Sequence, residues 1–303
     1  MISFIMMAYN VENYIGEAIV ELKKEKDVAW ELIIVEDFSD DNTFEVARKL
    51  EESDKRITLV KNISKGKVMG TNYGYSLTQG DIIKCIDSDD ILLKDFFSNY
   101  YDMQKYDAHC HPSYITNEKL NILSVYHLNP SIINKDYLFV LSNIISLPKV
   151  SWSFNRKLAD KIFPMPENLP FEDVWISLLI KKHANSILTM CKPLYLYRQH
   201  SNQTFGGIIN YSKGIVIFRA KRLLCLLSIL ENEFRVMESL DKSIFDKVKA
   251  YNEIMSQSSL SLLDVIKSNL NIKYKVKIIL IKKLPYFAKN LTILKWKFDA
   301  FKN

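Results

Sequence analysis

Short apolar runs alternate with segments of helical spacing through the first third of the chain. Ile2 to Ala8 reads as a buried strand, and from Asn13 to Lys24 apolar positions recur at helical steps. Glu31 to Val35 is a second strand, stopping at the acidic turn Glu36-Asp37-Phe38-Ser39-Asp40-Asp41. Asp41-Asn42-Thr43 offers capping side chains to a helix running to about Glu52, and Ile57 to Val60 is a third strand. After Lys65-Gly66-Lys67, a helix to about Leu77 leads into the strand Ile82-Ile83-Lys84-Cys85-Ile86, which ends in Asp87-Ser88-Asp89-Asp90. This order predicts an α/β fold built on a mostly parallel, doubly wound sheet. Such sheets bind ligands beyond the carboxyl ends of their strands, where Tyr9-Asn10, Asp37 and Asp87 fall.

The pattern is less legible from Tyr106 to Lys149. Leu158 to Phe163 has helical spacing; Pro164, Pro166 and Pro170 then impose an extended loop that presents Glu172-Asp173 at the start of a helix over Val174 to Lys182. Leu194 to Arg198 is a strand feeding the polar loop His200 to Thr204, and beyond Gly206-Gly207 the chain reads as helix. The expected division is 1–105 and 106–205, two halves of one domain, followed by a helical region, 206–303. Gly66, Gly70 and Gly74 share one helical face, which suits close packing on a strand or close approach of a ligand.

Composition is ordinary for a globular protein, with 48% hydrophobic and 25% charged residues. Four scattered cysteines without a Cys-x-x-Cys pair argue for buried thiols in a reducing compartment, not for disulfides or structural zinc. With no leader peptide and no apolar run long enough to span a bilayer, a cytoplasmic location is expected. The net charge of +6 is unevenly placed. From Asp264 onward ten lysines face Asp264 and Asp299, a balance of +8 that leaves −2 for the preceding 263 residues. A near-neutral body with a basic tail points to an anionic surface met by the tail and away from nucleic acid. In that tail Val276, Leu280, Leu284, Phe287, Leu291, Leu294, Phe298 and Phe301 form an apolar stripe flanked by lysines, broken at Pro285. A basic amphipathic helix of this kind suits the inner face of the cell membrane as a peripheral contact; packing on the protein itself is the other reading.

Carboxylates at i and i+2 where a strand runs out into a turn can converge on a hard cation that neutralises a diphosphate, although the same cluster also fits a solvated turn. Asp173, in the first turn of a helix, suits a general base, and equally a residue stabilised by the macrodipole. His109 and His111 lack an acidic third partner and read as incidental. Gly-x-x-x-x-Gly-Lys-Ser/Thr, Gly-x-Gly-x-x-Gly and Gly-x-Ser-x-Gly are all missing, which disfavours P-loop enzymes, dinucleotide oxidoreductases and esterases.

Taken together, Met7-Ala8-Tyr9-Asn10, Val35-Glu36-Asp37-Phe38-Ser39-Asp40-Asp41-Asn42-Thr43, Asn72 with Gly74, Asp87-Ser88-Asp89-Asp90, Glu172-Asp173 and Tyr197-Arg198-Gln199-His200 resemble the family 2, GT-A type nucleotide-sugar glycosyltransferases. The likeness spans roughly Met1 to Thr204. It departs from the family pattern at Met7, where a proline is usual, at Glu36, and at Thr71, where an arginine is usual. The resemblance implies a GT-A fold and an inverting, metal-dependent transfer from a UDP-sugar to a hydroxyl of a glycan or lipid-linked acceptor in bacterial surface-glycan synthesis. By the same resemblance Asp89 and His200 would hold Mn2+ or Mg2+, Asp87 would approach the ribose or the metal, and Asp37 would accept the uracil N3 hydrogen. Ala8, Tyr9, Asn10, Lys65, Lys67, Asn72 and Ser88 would complete the nucleotide-sugar site, Asp173 would be the base, and Glu172, Trp175 and Arg198 would meet the acceptor. A catalytically silent glycan-binding or scaffolding protein and a nucleotidyl- or phosphotransferase on a similar sheet are the competing readings. Oligomeric state is left open.

Overall fold

Strand β1 (Ile2–Ala8) lies between β2 (Trp30–Glu36) and β4 (Ile82–Asp87), with β3 (Ile57–Lys61) outside β2, and all four run parallel. The structure, a computed structural model, describes residues 1–129, 133–134, 136–200, 212–233, 239–259, 261–284 and 290. Helices α1 (Ile15–Lys23), α2 (Thr43–Ser53) and α3 (Lys67–Leu77) connect the strands. β1, β2 and β4 are buried along almost their whole length because both faces of the sheet are covered. The chain winds outward from β1 to β3 and then returns to place β4 on the other side of β1. That reversal opens a crevice at the carboxyl ends of β1 and β4. The earlier choice between packing and ligand approach at the α3 glycines falls to packing: a Cβ at Gly74 would sit 2.7 Å from Ile5 Cγ2.

After β4 come β5 (Ile91–Leu92), a 3-10 turn over Lys94–Asn99 and α4 (Tyr100–Met103), and the less legible stretch then holds β6 (Ala108–Cys110), β7 (Ser113–Thr116), β8 (Ile122–Tyr126) and α5 (Tyr137–Asn143), up to a 3-10 turn over Lys149–Ser151. Then come β9 (Trp152–Asn155), α6 (Arg156–Ile162), α7 (Glu172–His183), β10 (Ile187–Thr189) and β11 (Tyr195–Arg198). The main sheet runs β10-β6-β9-β4-β1-β2-β3, with β9 antiparallel to both β4 and β6; a second sheet runs β5-β11-β7-β8. The fold is thus α/β with a mostly parallel central sheet.

Helices α8 (Lys213–Glu233), α9 (Ser239–Ser256), α10 (Leu262–Lys267) and α11 (Ile272–Lys283) follow. The chain divides into two compact units, 1–140 with 144–201, and 141–143 with 202–303. In the second unit Ile278 packs with Ala220, Ile254, Met255, Val265 and Leu270. The described part of the expected apolar stripe is turned the other way: Val276 and Leu284 are exposed, as is Ile272. Phe287, Leu291, Leu294, Phe298, Phe301 and the expected break at Pro285 lie outside the described residues.

Candidate active site

The carboxyl ends of β1 and β2 are stitched together by short polar contacts. Asn10 takes a left-handed backbone (φ 51°), which asparagine tolerates better than most residues. Its N–H donates to Ser39 Oγ (3.1 Å), its Oδ1 accepts from the Asp40 N–H (2.8 Å), and the buried Ala8 gives its carbonyl to the Asp37 N–H (2.9 Å). The Asp37 carboxylate accepts from Asn62 Nδ2 (2.7 Å) and from the Gly66 N–H (2.9 Å), fixing the turn that starts α3. That turn needs glycine, because Gly66 has φ 134°. Asn62 belongs to the site's frame although no motif signals it. Tyr9 is exposed at the rim, with Lys65 Nζ 5.1 Å from its ring centre.

Beyond β4 the acidic residues fall into two linked groups. In the first, Lys149 Nζ lies 2.9 Å from Asp87 Oδ1 and 3.5 Å from Glu172 Oε1, and Lys67 Nζ lies 3.8 and 3.2 Å from the same two atoms. The Lys149 backbone N–H donates to Asp173 Oδ1 (2.7 Å), and the Asp87 N–H donates to Tyr195 Oη (2.9 Å). Burial opposes the charge on Asp87, but Lys149 and Lys67 outweigh it and hold its pKa below the ordinary carboxylate range. Asp173 goes the other way: burial, reinforced by the Glu172 carboxylate, raises it to about 6. That is the poise a general base needs near neutral pH.

In the second group His200 Nε2 sits 3.0 Å from Asp89 Oδ2, and its ring lies 4.8 Å, centre to centre, from Tyr14. Asp90 is buried, its Oδ1 accepting from the Arg198 N–H (2.8 Å); burial, then Asp89 and Asp87, push its pKa well up. Tyr197 feels both groups: burial and then the carboxylates of Asp90, Asp87, Asp89 and Asp173 raise its hydroxyl pKa.

Several expected contacts take other work. Both ends of the Asn72 amide are bonded to the Met165 backbone, Nδ2 to its carbonyl and Oδ1 from its N–H (each 2.7 Å). Asn72 therefore braces the proline-rich loop ahead of Asp173 and is not turned to a nucleotide. Trp175 is buried with its indole N–H on the Ile162 carbonyl (3.0 Å), a core residue and not an acceptor platform, and Trp152 is fully buried. Arg198 is equally internal: its guanidinium binds Glu17 Oε2 (2.6 Å), the Glu118 carbonyl (2.9 Å) and the Asp89 carbonyl (2.8 Å), tying the acidic turn to α1. Ser88 is buried beside Asp87, and Thr71 donates within α3 to the Lys67 carbonyl. His109 and His111 are buried and bonded to the Met103 and Pro112 carbonyls.

For a divalent cation the donor set is one carboxylate and one imidazole. Among the described residues no cluster of three His, Cys, Asp or Glu converges as a protein-only metal cage. Asp89 and His200 fit a cation that takes its remaining ligands from a diphosphate, and His200 Nδ1 is buried with no partner among the described residues.

This arrangement, a parallel sheet with an acidic turn at its switch point and a poised carboxylate on the facing helix, has known counterparts. A sequence profile named Glycosyl transferase family 2 matches residues 3–163, more than half of the chain. The chain belongs to that family. Its curated relatives include UDP-Glc:alpha-D-GlcNAc-diphosphoundecaprenol beta-1,3-glucosyltransferase WfgD of Escherichia coli, 29% identical over 203 residues that cover 62% of this chain and 73% of that enzyme. An uncharacterized glycosyltransferase of Haemophilus influenzae is 33% identical over 96 residues, 31% of this chain and 38% of that one, so the chain spans well under half of that relative's length. Among solved structures, S. aureus TarS residues 1–349 in complex with UDP-GlcNAc superposes with a TM-score of 0.58 at 15% identity, covering 93% of this chain and 87% of that fragment. Mannosyltransferase PcManGT from Pyrobaculum calidifontis, in complex with GDP-Man and Mn2+, gives a TM-score of 0.55 at 15% identity, covering 98% and 80%. At such identities the shared property is the fold. The protein is a glycosyltransferase of GT-A architecture.

Proposed function

We propose that this glycosyltransferase moves a sugar from a UDP-sugar, with inversion, to a hydroxyl of a glycan or lipid-linked acceptor in bacterial surface-polysaccharide synthesis. The observation that carries the reading is the link made at Lys149 between Asp87, at the end of β4, and Asp173, at the start of α7. It couples a donor-side carboxylate to a carboxylate whose raised pKa fits it to deprotonate an incoming hydroxyl. The names of the relatives support the donor class and the acceptor class.

In this mechanism Asp37 receives the base edge of the nucleotide at the floor of the crevice, with Tyr9 and Lys65 at its rim. Asp173 takes the proton of the acceptor hydroxyl as that oxygen attacks the anomeric carbon from the face opposite the diphosphate. Lys67 carries positive charge into the site, close to where the leaving diphosphate becomes more negative. Asp89 and His200 would hold Mn2+ or Mg2+, which when bound offsets charge on the leaving diphosphate without a proton. Incubating the protein with UDP-glucose, UDP-GlcNAc and GDP-mannose, with and without Mn2+, tests the reading without an acceptor: Mn2+-dependent release of UDP is expected. No release from any donor at any metal concentration would favour a silent glycan-binding protein.

Membrane contact belongs to the same proposal. Among the described residues no helix is long and apolar enough to cross a bilayer. On α11, Ile272 and Val276 are exposed beside the exposed Lys273 and Lys283, while Ile278 on the opposite side is buried. An anionic lipid surface suits that face, because apolar side chains can enter the interface while each lysine adds about 1 kcal/mol near the headgroups. Removing the whole helix would uncover its packed side, so the cleaner test is Ile272→Glu with Lys273→Glu. Sedimentation with phosphatidylglycerol vesicles is expected to drop about tenfold or more for this pair, from the lost lysine, the two added carboxylates and the lost apolar contact. Wild-type binding is expected to weaken as salt shortens the screening length below about 8 Å. Vesicle binding indifferent to both changes would remove α11 as the contact.

A further inference from the structure

We infer that Lys149 is a positioning residue for the transfer reaction, setting the distance between the donor-side carboxylate Asp87 and the base Asp173. Nothing in the sequence marks it. It is almost fully buried, at the first residue of the 3-10 turn Lys149–Ser151, and it makes two kinds of contact at once. Its ammonium bridges Asp87 Oδ1 (2.9 Å) and Glu172 Oε1 (3.5 Å), and its backbone N–H holds Asp173 Oδ1 (2.7 Å). A single residue thereby ties the end of β4 to the first turn of α7.

The turn that carries Lys149 is itself anchored from below. Lys84, fully buried in β4, donates from Nζ to the Val150 carbonyl (2.6 Å) and reaches the Trp152 carbonyl (3.3 Å). It also meets His111 Nε2 (2.9 Å). His111 Nδ1 faces the Pro112 carbonyl, which can only accept, so Nδ1 carries the proton and Nε2 accepts from Lys84. A buried amine with three acceptors is satisfied, and it holds the 149–151 backbone in one place. Lys149 is therefore attached to a rigid support, which placing two reacting centres requires. Lys67 reaches the same carboxylates from a half-exposed position, whereas Lys149 adds its backbone N–H on Asp173.

Lys149→Gln tests this, because it removes the ammonium and keeps the backbone N–H on Asp173. With Asp87 and Glu172 left facing each other, turnover of UDP-glucose, or of whichever donor the release assay shows to be used, is expected to fall about a hundredfold, the cost of displacing a reacting group by about 1 Å. UDP affinity by calorimetry is expected to change less than about fivefold, since Asp37, Asp89 and His200 are untouched. Lys149→Arg, which keeps the charge, is expected to restore turnover to within about tenfold of wild type. If Lys149→Gln does not fold, the pair Lys149→Gln with Glu172→Gln relieves the repulsion, and its turnover is compared with Glu172→Gln alone. A further loss of about tenfold in the pair is expected. Turnover within threefold of wild type in Lys149→Gln, or a pair equal to Glu172→Gln alone, would overturn the inference. It rests on Asp173 as the base, and the failures are separable: a fully active Asp173→Asn defeats the base assignment, whereas an inactive Asp173→Asn beside an active Lys149→Gln defeats only the place given to Lys149.

Discussion

Asp173→Asn is expected to lower turnover by about 10²–10⁴-fold, the usual contribution of a general base, while UDP affinity stays within a few fold of wild type. The substitution is nearly isosteric, and the asparagine Oδ1 can still accept the Lys149 N–H that Asp173 accepts at 2.7 Å. Wild-type turnover is expected to follow a limb near pH 6, falling tenfold per pH unit below it, because the working form is ionised and burial raises the pKa to about 6. The limb should vanish in the variant. Stability carries the opposite sign. Between the ordinary aspartate value of 3.8 and about 6 the folded protein binds a proton that the unfolded chain has released, so Asp173 lowers stability as pH rises through that window. The variant is therefore expected to melt no lower than wild type at pH 7. Initial rates across pH, calorimetry with UDP and thermal melts together separate a lost base from a damaged fold. A collapse of UDP binding would move Asp173 into the donor site.

Asp89→Ala is expected to abolish Mn2+-dependent UDP binding and to reduce transfer by about a thousandfold or more, given that a bound cation supplies several kcal/mol of charge stabilisation. The fold should survive. The Asp89 side chain meets His200 at 3.0 Å, and the contact that ties this turn to Arg198 uses the Asp89 carbonyl, which the substitution leaves in place. His200→Ala is expected to raise the Mn2+ concentration needed, with a smaller loss of maximal rate, since carboxylate and diphosphate oxygens can still bind the ion. Manganese titrations of UDP release and of calorimetric UDP binding decide both. Full activity in Asp89→Ala would end its assignment to the metal.

The α/β architecture was written into the one-dimensional pattern. β1, β2 and β4 are covered on both faces, so apolar residues occupy adjacent positions along them instead of alternating strictly, and capping residues and acidic turns mark where they stop. The positions of Asp37, Asp87 and Asp89 followed, because a strand end in a parallel sheet is a ligand-facing place whatever the loops do. The Asp173 carboxylate was legible from prolines that delay a helix start. β6 to β9 were not legible, since strands of three to five residues are too short to show a period, and the reversed direction of β9 depends on partners distant in sequence.

Long-range pairing decided the individual duties of the site residues. Asn72 looked like a nucleotide contact until Met165, 93 positions away, took both ends of its amide. Arg198 was claimed by Glu17 and the Asp89 carbonyl, and Lys149 gained its importance only when β9 brought its turn beside β4. The tail shows the same division: a three-and-four repeat specifies that α11 has apolar stripes, but the neighbouring helices chose the one through Ile278 to bury and left Val276 outside. A sequence carries its local periods and turn chemistry within itself. Which side chain meets which, and hence which acid is neutralised and which kept poised, is fixed only when distant segments compete for the same few ångströms.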